Sequence, residues 1–166
     1  MQVRWTRLFC AVGMSLSLAA LAARQAVTSS RLSAELRAHV KGDRFAIVTS
    51  VRGLPLGVRG GLQTLFGSQS LDIAEPGEKF DLSDMSIYLS LPIRRMVAAG
   101  CSYERCLVYY ERIDAKSHTW RVALFHWTPE ATRFEWGGTA PGGLAAIDDV
   151  QRAVLSGSIK DSPAVW

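Results

Sequence analysis

The segment from residue 97 to residue 136 places the strongest constraint on how this chain can fold. It contains CLVYYERI, WRVALFHW and TRFEW, which are short runs rich in β-branched and aromatic residues, separated by turn-forming residues. Such runs predict antiparallel strands joined by hairpins. Together with the preceding VAAGC they predict a four-strand meander, whose first turn is flanked by Cys101 and Cys106. We therefore expect the domain to be built on an antiparallel sheet.

The N-terminal segment, residues 1–23, has the pattern of a secretory signal peptide. Arg4 and Arg7 precede an apolar run, residues 8–22, that ends in small residues suited to cleavage. This run is shorter than the about 20 residues needed to cross a bilayer, so cleavage is favoured. We expect a periplasmic or secreted protein with no stable membrane span after cleavage. The alternative is a protein anchored in the membrane by an uncleaved N-terminal segment.

Cysteine usage agrees with export. Cys10 lies inside the predicted signal peptide, which leaves Cys101 and Cys106 in a compartment that favours disulfides. Directly opposed residues of a hairpin have the close Cβ atoms that a disulfide needs, and this pairing also sets Ala99 opposite Val108 and Val97 opposite Tyr110. We predict a structural disulfide worth about 2 kcal/mol for so small a ring. A redox centre is disfavoured, because thiol oxidoreductases place two residues between their cysteines and here four intervene.

Further elements surround the meander. Residues 44–51 and 87–91 predict strands, and residues 58–66 predict a helix that ends at Gly67. Ser30 is the predicted N-cap of a short N-terminal helix. The apolar stripes of this helix and of a C-terminal helix consist of Leu32, Leu36 and Val40, and of Leu144, Ile147, Val150 and Val154.

These elements define the fold class. We predict an α+β domain with a mainly antiparallel meander sheet of four to six strands and two or three helices packed on one face. After the signal peptide, residues 24–43 are interpreted as a spacer and a short helix, residues 44–157 as a single α+β domain and residues 158–166 as a C-terminal tail.

The register of the later hairpins follows from matching charges and apolar residues across strands. In the second hairpin this sets Glu111 opposite Arg121, in preference to a register one residue shorter in which Glu111 faces Trp120. In the third hairpin it sets Leu124 opposite Phe134. The sheet then has one apolar face for the helices and one mixed face open to solvent.

The predicted open face is the first candidate site. It carries residue types that are enriched at interface hot spots, namely Tyr109, Arg121, Phe125 and Arg133. We interpret these side chains as an interaction face for a protein partner in the cell envelope.

Two glycine-rich loops form the second candidate site. Residues 53–61 and 137–143 each lead from a strand to a helix, where exposed N–H groups can bind an anion. Neither loop fits a known phosphate-binding motif. The residues chosen as ligand contacts are Arg52, Arg59, Thr139 and Gly142.

Several function classes are disfavoured. Without Arg4 and Arg7 the net charge of +4 falls to +2, which gives no argument for nucleic acid. The three histidines are scattered without metal-ligand spacing, so no metal or other cofactor is expected. A catalytic cysteine is disfavoured because a disulfide-bonded cysteine cannot act as a nucleophile. We therefore expect a non-catalytic binding or interaction module. The alternative is an anion-binding or other small-ligand domain, or a hydrolase-like enzyme, that uses the two glycine loops as a cleft.

Overall fold

The computed structural model describes residues 31–81, 91–114 and 117–161. Within these ranges the helices are α1 (Ala34–Gly42), α2 (Leu56–Phe66) and α3 (Ile147–Ser156), and a 3-10 turn spans Val51–Gly53. The strands are β1 (Ala46–Val48), β2 (Arg94–Cys101), β3 (Arg105–Asp114), β4 (Ser117–Trp127), β5 (Thr132–Ala140) and β6 (Lys160–Asp161). They form a six-stranded sheet in chain order, with every neighbouring pair antiparallel. The predicted α+β fold with a meander sheet is therefore confirmed.

Some predictions fall elsewhere in the chain. The signal peptide, residues 87–90 of a predicted strand and residues 162–166 lie outside the described residues. None of the described helices is long and apolar enough to cross a membrane.

Segments on both sides of residues 44–157 pack against the sheet or pair with it. On the N-terminal side, α1 is capped by Ser33 rather than Ser30, and Val40 is fully buried. On the C-terminal side, Ile159 is buried and β6 pairs with β5. Both end segments therefore add apolar surface to the core.

The helices cover both faces of the sheet, so the prediction that they pack on one face is wrong. Along β3, Val108 and Tyr110 join a core with α2, on what we call the α2 face. Leu107 and Tyr109 join a core with α1 and α3, on what we call the α3 face. The physical reason lies in the sequence of β3, where consecutive apolar residues leave neither face polar.

The register of the second hairpin also differs from the prediction. The strands β3 and β4 pair up to Asp114 opposite Ser117, and Glu111 lies opposite Trp120 rather than opposite Arg121. A one-residue shift normally moves apolar side chains into water. Here it does not, because helices cover both faces.

Two bulges set the remaining register. The predicted pairs of Cys101 with Cys106 and of Ala99 with Val108 are confirmed, and the two cysteines form a disulfide. Beyond Ala98 a bulge moves Val97 out of the predicted pairing with Tyr110. In β5 a second bulge sets Leu124 opposite Trp136 and Phe125 opposite Phe134, so the predicted pair of Leu124 with Phe134 is wrong. Each bulge adds one residue to its strand and sends the side chains beyond it to the other face.

Candidate functional site

The predicted interaction face does not form. Tyr109 and Phe125 are fully buried, and they lie on the α3 face and the α2 face respectively. Arg121 is also buried, whereas Arg133 is exposed. Phe125 is covered by α2, whose Gly61 packs so closely that a Cβ there would lie 2.8 Å from the Phe125 ring, and Tyr109 is covered by α1 and α3. The prediction of a solvent-facing set of these four residues is therefore wrong.

The two glycine-rich loops lie apart. Most of the first predicted loop, residues 53–61, is part of α2, whose Gly57 packs closely against Thr132 at the start of β5. Gly142 follows the end of β5 and packs against the ring of Trp120, on the α3 face. The loops therefore sit at opposite ends of β5 and do not enclose the predicted cleft.

The four predicted ligand residues are separated accordingly. Arg52 is exposed on the 3-10 turn, and Arg59 is half-buried on α2. Thr139 lies on β5 opposite Arg121. Thr139 is therefore a direct cross-strand neighbour of Arg121, whereas Arg52 and Arg59 do not lie on the sheet.

The structure instead brings three arginines together around Tyr110. Arg94 on β2 lies opposite Arg112 on β3, and Tyr110 lies opposite Arg121 on β4. Opposed residues share a face, as do residues two apart in a strand, so all four lie on the α2 face. The positive charges of all three arginines act on the Tyr110 hydroxyl. We call Arg94, Arg112, Arg121 and the central Tyr110 the arginine cluster.

The C-terminal end of α2 holds this cluster in place. The Arg94 guanidinium lies 4.1 Å from the centre of the Phe66 ring, and the Phe66 ring meets Tyr110 edge-on at 5.3 Å. Arg94 Nη1 also donates to Asp72 Oδ2 at 2.5 Å. The partial negative charge at the end of a helix favours cations nearby. Gly67 ends α2 with a φ of 64°, a left-handed conformation that glycine adopts without strain, and the chain then turns towards Asp72.

The Tyr110 hydroxyl is the unusual group of the cluster. The residue is 0% exposed, and its hydroxyl has no hydrogen-bond partner. Burial raises the pKa of Tyr110, and the positive charges of Arg94, Arg121 and Arg112 oppose that rise. The hydroxyl is therefore neutral at physiological pH. An unpaired buried hydroxyl costs about 1–3 kcal/mol of stability, so its presence requires an explanation.

A second charged group lies on the α3 face of the same strands. Glu111 is buried; its Oε1 accepts from Arg95 Nε at 2.7 Å, and its Oε2 lies 2.7 Å from His118 Nε2. The His118 ring stacks on Trp120 with centroids 4.1 Å apart. Both carboxylate oxygens are thus occupied within the protein. This arrangement is typical of a structural ion pair.

A cleft of about 370 Å³ opens between α1 and β5. Two of its lining side chains, the buried Arg105 and the half-buried Glu135, pair with each other at 3.3 Å. The exposed Arg133 donates to the other carboxylate oxygen of Glu135 at 3.1 Å. The charges of these three lining residues are therefore paired with one another.

Comparison with protein-family models, with curated proteins and with solved structures finds no match for this chain. The fold and the site therefore rest on geometry alone. They define an α+β domain with a sheet covered on both faces and a buried cluster of arginines at one end of the sheet.

The sequence reasoning missed Arg94, Arg112 and Tyr110 as site residues. Tyr110 and Arg112 lie in a predicted strand and Arg94 lies just before another, and a correct register would have shown that they share a face with Arg121. The available signal was an arginine near the same end of three successive strands. It was hidden because the predicted second hairpin placed Arg121 opposite Glu111.

We predict that the protein loses stability in alkaline solution because of its two buried tyrosines. Burial raises the pKa of Tyr109 to about 12 and also raises the pKa of Tyr110. In the unfolded chain both hydroxyls ionise near pH 10. Because the folded pKa values lie above the unfolded ones, stability falls as pH rises above about 10.

The measurement is urea unfolding between about pH 9 and pH 12, followed together with tyrosinate absorbance. Tyr109→Phe and Tyr110→Phe should each reduce the slope of stability against pH. Slopes identical to that of the wild type would contradict the prediction.

Proposed function

We propose that this protein is an exported, non-catalytic binding domain that takes a small anionic ligand at the arginine cluster. One observation carries the proposal: the Tyr110 hydroxyl is buried without a hydrogen-bond partner, inside the positive field of three guanidinium groups. Folded proteins pair almost all buried polar groups. A ligand that supplies acceptor oxygens would pair this one.

The placement of the cluster supports ligand access. Arg112 and its cross-strand neighbour Thr119 are half-buried, so the cluster reaches the surface at this end of β3 and β4. The deeper arginines are held by the protein, as the ion pair of Arg94 with Asp72 illustrates. Guanidinium groups fixed in advance on a rigid sheet lose little entropy when an anion binds.

The positions of His118 and of the two cysteines favour binding over catalysis at the arginine cluster. Among the residues that the structure describes, His118 is on the opposite face, and both Cys101 and Cys106 are in the disulfide. Neither type of residue brings a base or a nucleophile to the arginines. The expected interaction face has less support than the anion-binding alternative, because Tyr109 and Phe125 are buried.

Export is part of the proposal. The charged start and apolar run of residues 1–23 have the pattern of a signal peptide, and a disulfide is typical of an oxidising compartment. We place the protein in the periplasm or outside the cell.

The test is calorimetric titration of the purified protein with acetate, citrate, sulfate and phosphate, with chloride keeping the ionic strength constant. We expect at least one anion to bind and Arg112→Gln to weaken its binding at least about tenfold, since charged hydrogen bonds are worth about 1.5–3 kcal/mol. The matched control is Arg52→Gln, which removes the same charge from an exposed residue and should bind as the wild type does. No binding of any of these anions, or equal binding by the two variants, would overturn the proposal.

A further inference from the structure

The arginine cluster consists of hydrogen-bond donors. A guanidinium group donates up to five N–H bonds and accepts none, whereas a neutral phenol has one proton to donate. In the folded protein the Tyr110 hydroxyl makes no hydrogen bond, although it is fully buried. The group that would pair this hydroxyl is a hydrogen-bond acceptor, and among neighbouring positive charges an oxyanion is the acceptor that fits best.

The layout of the three arginines narrows the class of oxyanion. Arg94, Arg112 and Arg121 come from three adjacent strands, β2, β3 and β4. Neighbouring strands lie about 4.8 Å apart, so the three backbone positions span about 10 Å, a distance that arginine side chains are long enough to bridge towards one compact group. A planar carboxylate can be bound by a single guanidinium group, which donates one N–H bond to each of its two oxygens. A tetrahedral oxyanion offers acceptors in several directions, which suits donors arriving from three strands and from a central hydroxyl.

The geometry points to Tyr110 as the residue that selects the ligand, its hydroxyl donating a hydrogen bond to a phosphate-type oxyanion held by the surrounding arginines. This inference rests on the proposed function, because it names the ligand class and the selecting residue of the same site. It also explains why a buried hydroxyl is left unpaired in the free protein. The group is retained for binding at a cost in stability.

Opposite effects on stability and on binding follow for Tyr110→Phe. Removing an unpaired buried hydroxyl while keeping the ring leaves the free protein at least as stable as the wild type. The same change removes one hydrogen bond to a charged ligand, so phosphate should bind about tenfold more weakly or worse. A tyrosine with a purely structural role would show the reverse, with lower stability and unchanged binding.

The experiment measures the dissociation constant for inorganic phosphate and the urea midpoint of each protein. The matched control is Tyr103→Phe, which removes a hydroxyl from a side chain that is 92% exposed and should change neither quantity. Acetate serves as the planar comparison and should bind more weakly than phosphate. Vesicles of phosphatidic acid test whether the phosphate group comes from a lipid headgroup. The same Tyr110 dependence with either source supports the inference.

Two outcomes overturn the inference while leaving the proposed function standing. One is phosphate binding that depends on Arg112 but changes less than twofold in Tyr110→Phe. The other is acetate binding as tight as phosphate binding. If the wild type binds none of these anions, the proposed function itself has failed, and the inference fails with it.

Discussion

Replacing Trp136 by alanine is expected to lower the free energy of unfolding by about 4 kcal/mol, since truncation of a buried tryptophan costs about 3–5 kcal/mol. Trp136 is 1% exposed in the core of the α3 face. Its indole Nε1 donates to Asp161 Oδ1 at 2.8 Å, which ties β6 to the sheet. The alanine variant therefore loses a large apolar side chain and the anchor of the last strand together. Urea denaturation followed by circular dichroism measures the loss.

Two companion variants separate these contributions. Trp136→Phe keeps most of the apolar contact and loses the hydrogen bond to Asp161, so it should cost clearly less than the alanine variant. Leu56→Ala removes an apolar side chain that is 78% exposed and should change stability by no more than about 0.5 kcal/mol. If Trp136→Ala were as mild as Leu56→Ala, Trp136 would not lie in the core.

The position of Trp136 shows why register was the part of the fold that escaped prediction. In the run Phe134, Glu135, Trp136 the aromatic residues alternate with a charge, and regular pleating puts both aromatics on one face. The bulge at this point sends Phe134 to the α2 face and Trp136 to the α3 face. Both placements bury an aromatic ring, so the apolar pattern could not distinguish them.

The features that were predicted correctly depend on local signals. The paired cysteines identify the first hairpin, and Gly67 ends α2 in a left-handed conformation, as expected for a glycine after a helix. The buried stripe of Ile147, Val150 and Val154 follows from helical periodicity alone. Each of these depends on residues close in the chain.

The candidate site depends on distant residues. The arginine cluster combines three strands, and its members share a face only in the observed register. Opposite charges made the pairing of Glu111 with Arg121 attractive at the sequence level. In the folded protein the Glu111 carboxylate hydrogen-bonds to Arg95 and His118 on the α3 face. Arg121 lies opposite Tyr110 on the α2 face. The charge-matching rule failed because Glu111 had Arg95 and His118 within hydrogen-bonding reach.

The second prediction with a large expected effect concerns the charge of Glu111. Glu111→Gln keeps the shape of the side chain and removes its charge, which leaves Arg95 and His118 without their shared carboxylate. Breaking a buried ion pair costs about 3–5 kcal/mol. Since Arg95 and His118 are partly exposed and water can replace some of the lost interaction, we expect a loss of about 2 kcal/mol. The measurement is urea unfolding at neutral pH, with the exposed Glu104→Gln as the control for the same chemical change.

The same variant separates the two charged groups built on β3. Glu111 lies on the α3 face and the arginine cluster on the α2 face, so Glu111→Gln should bind anions as tightly as the wild type does while the protein stays folded. Arg112→Gln, one residue further along the strand, should weaken anion binding. Loss of anion binding in folded Glu111→Gln would mean that the faces are coupled through the strand. A stability equal to that of Glu104→Gln would mean that the ion pair with Arg95 and His118 contributes nothing to the fold.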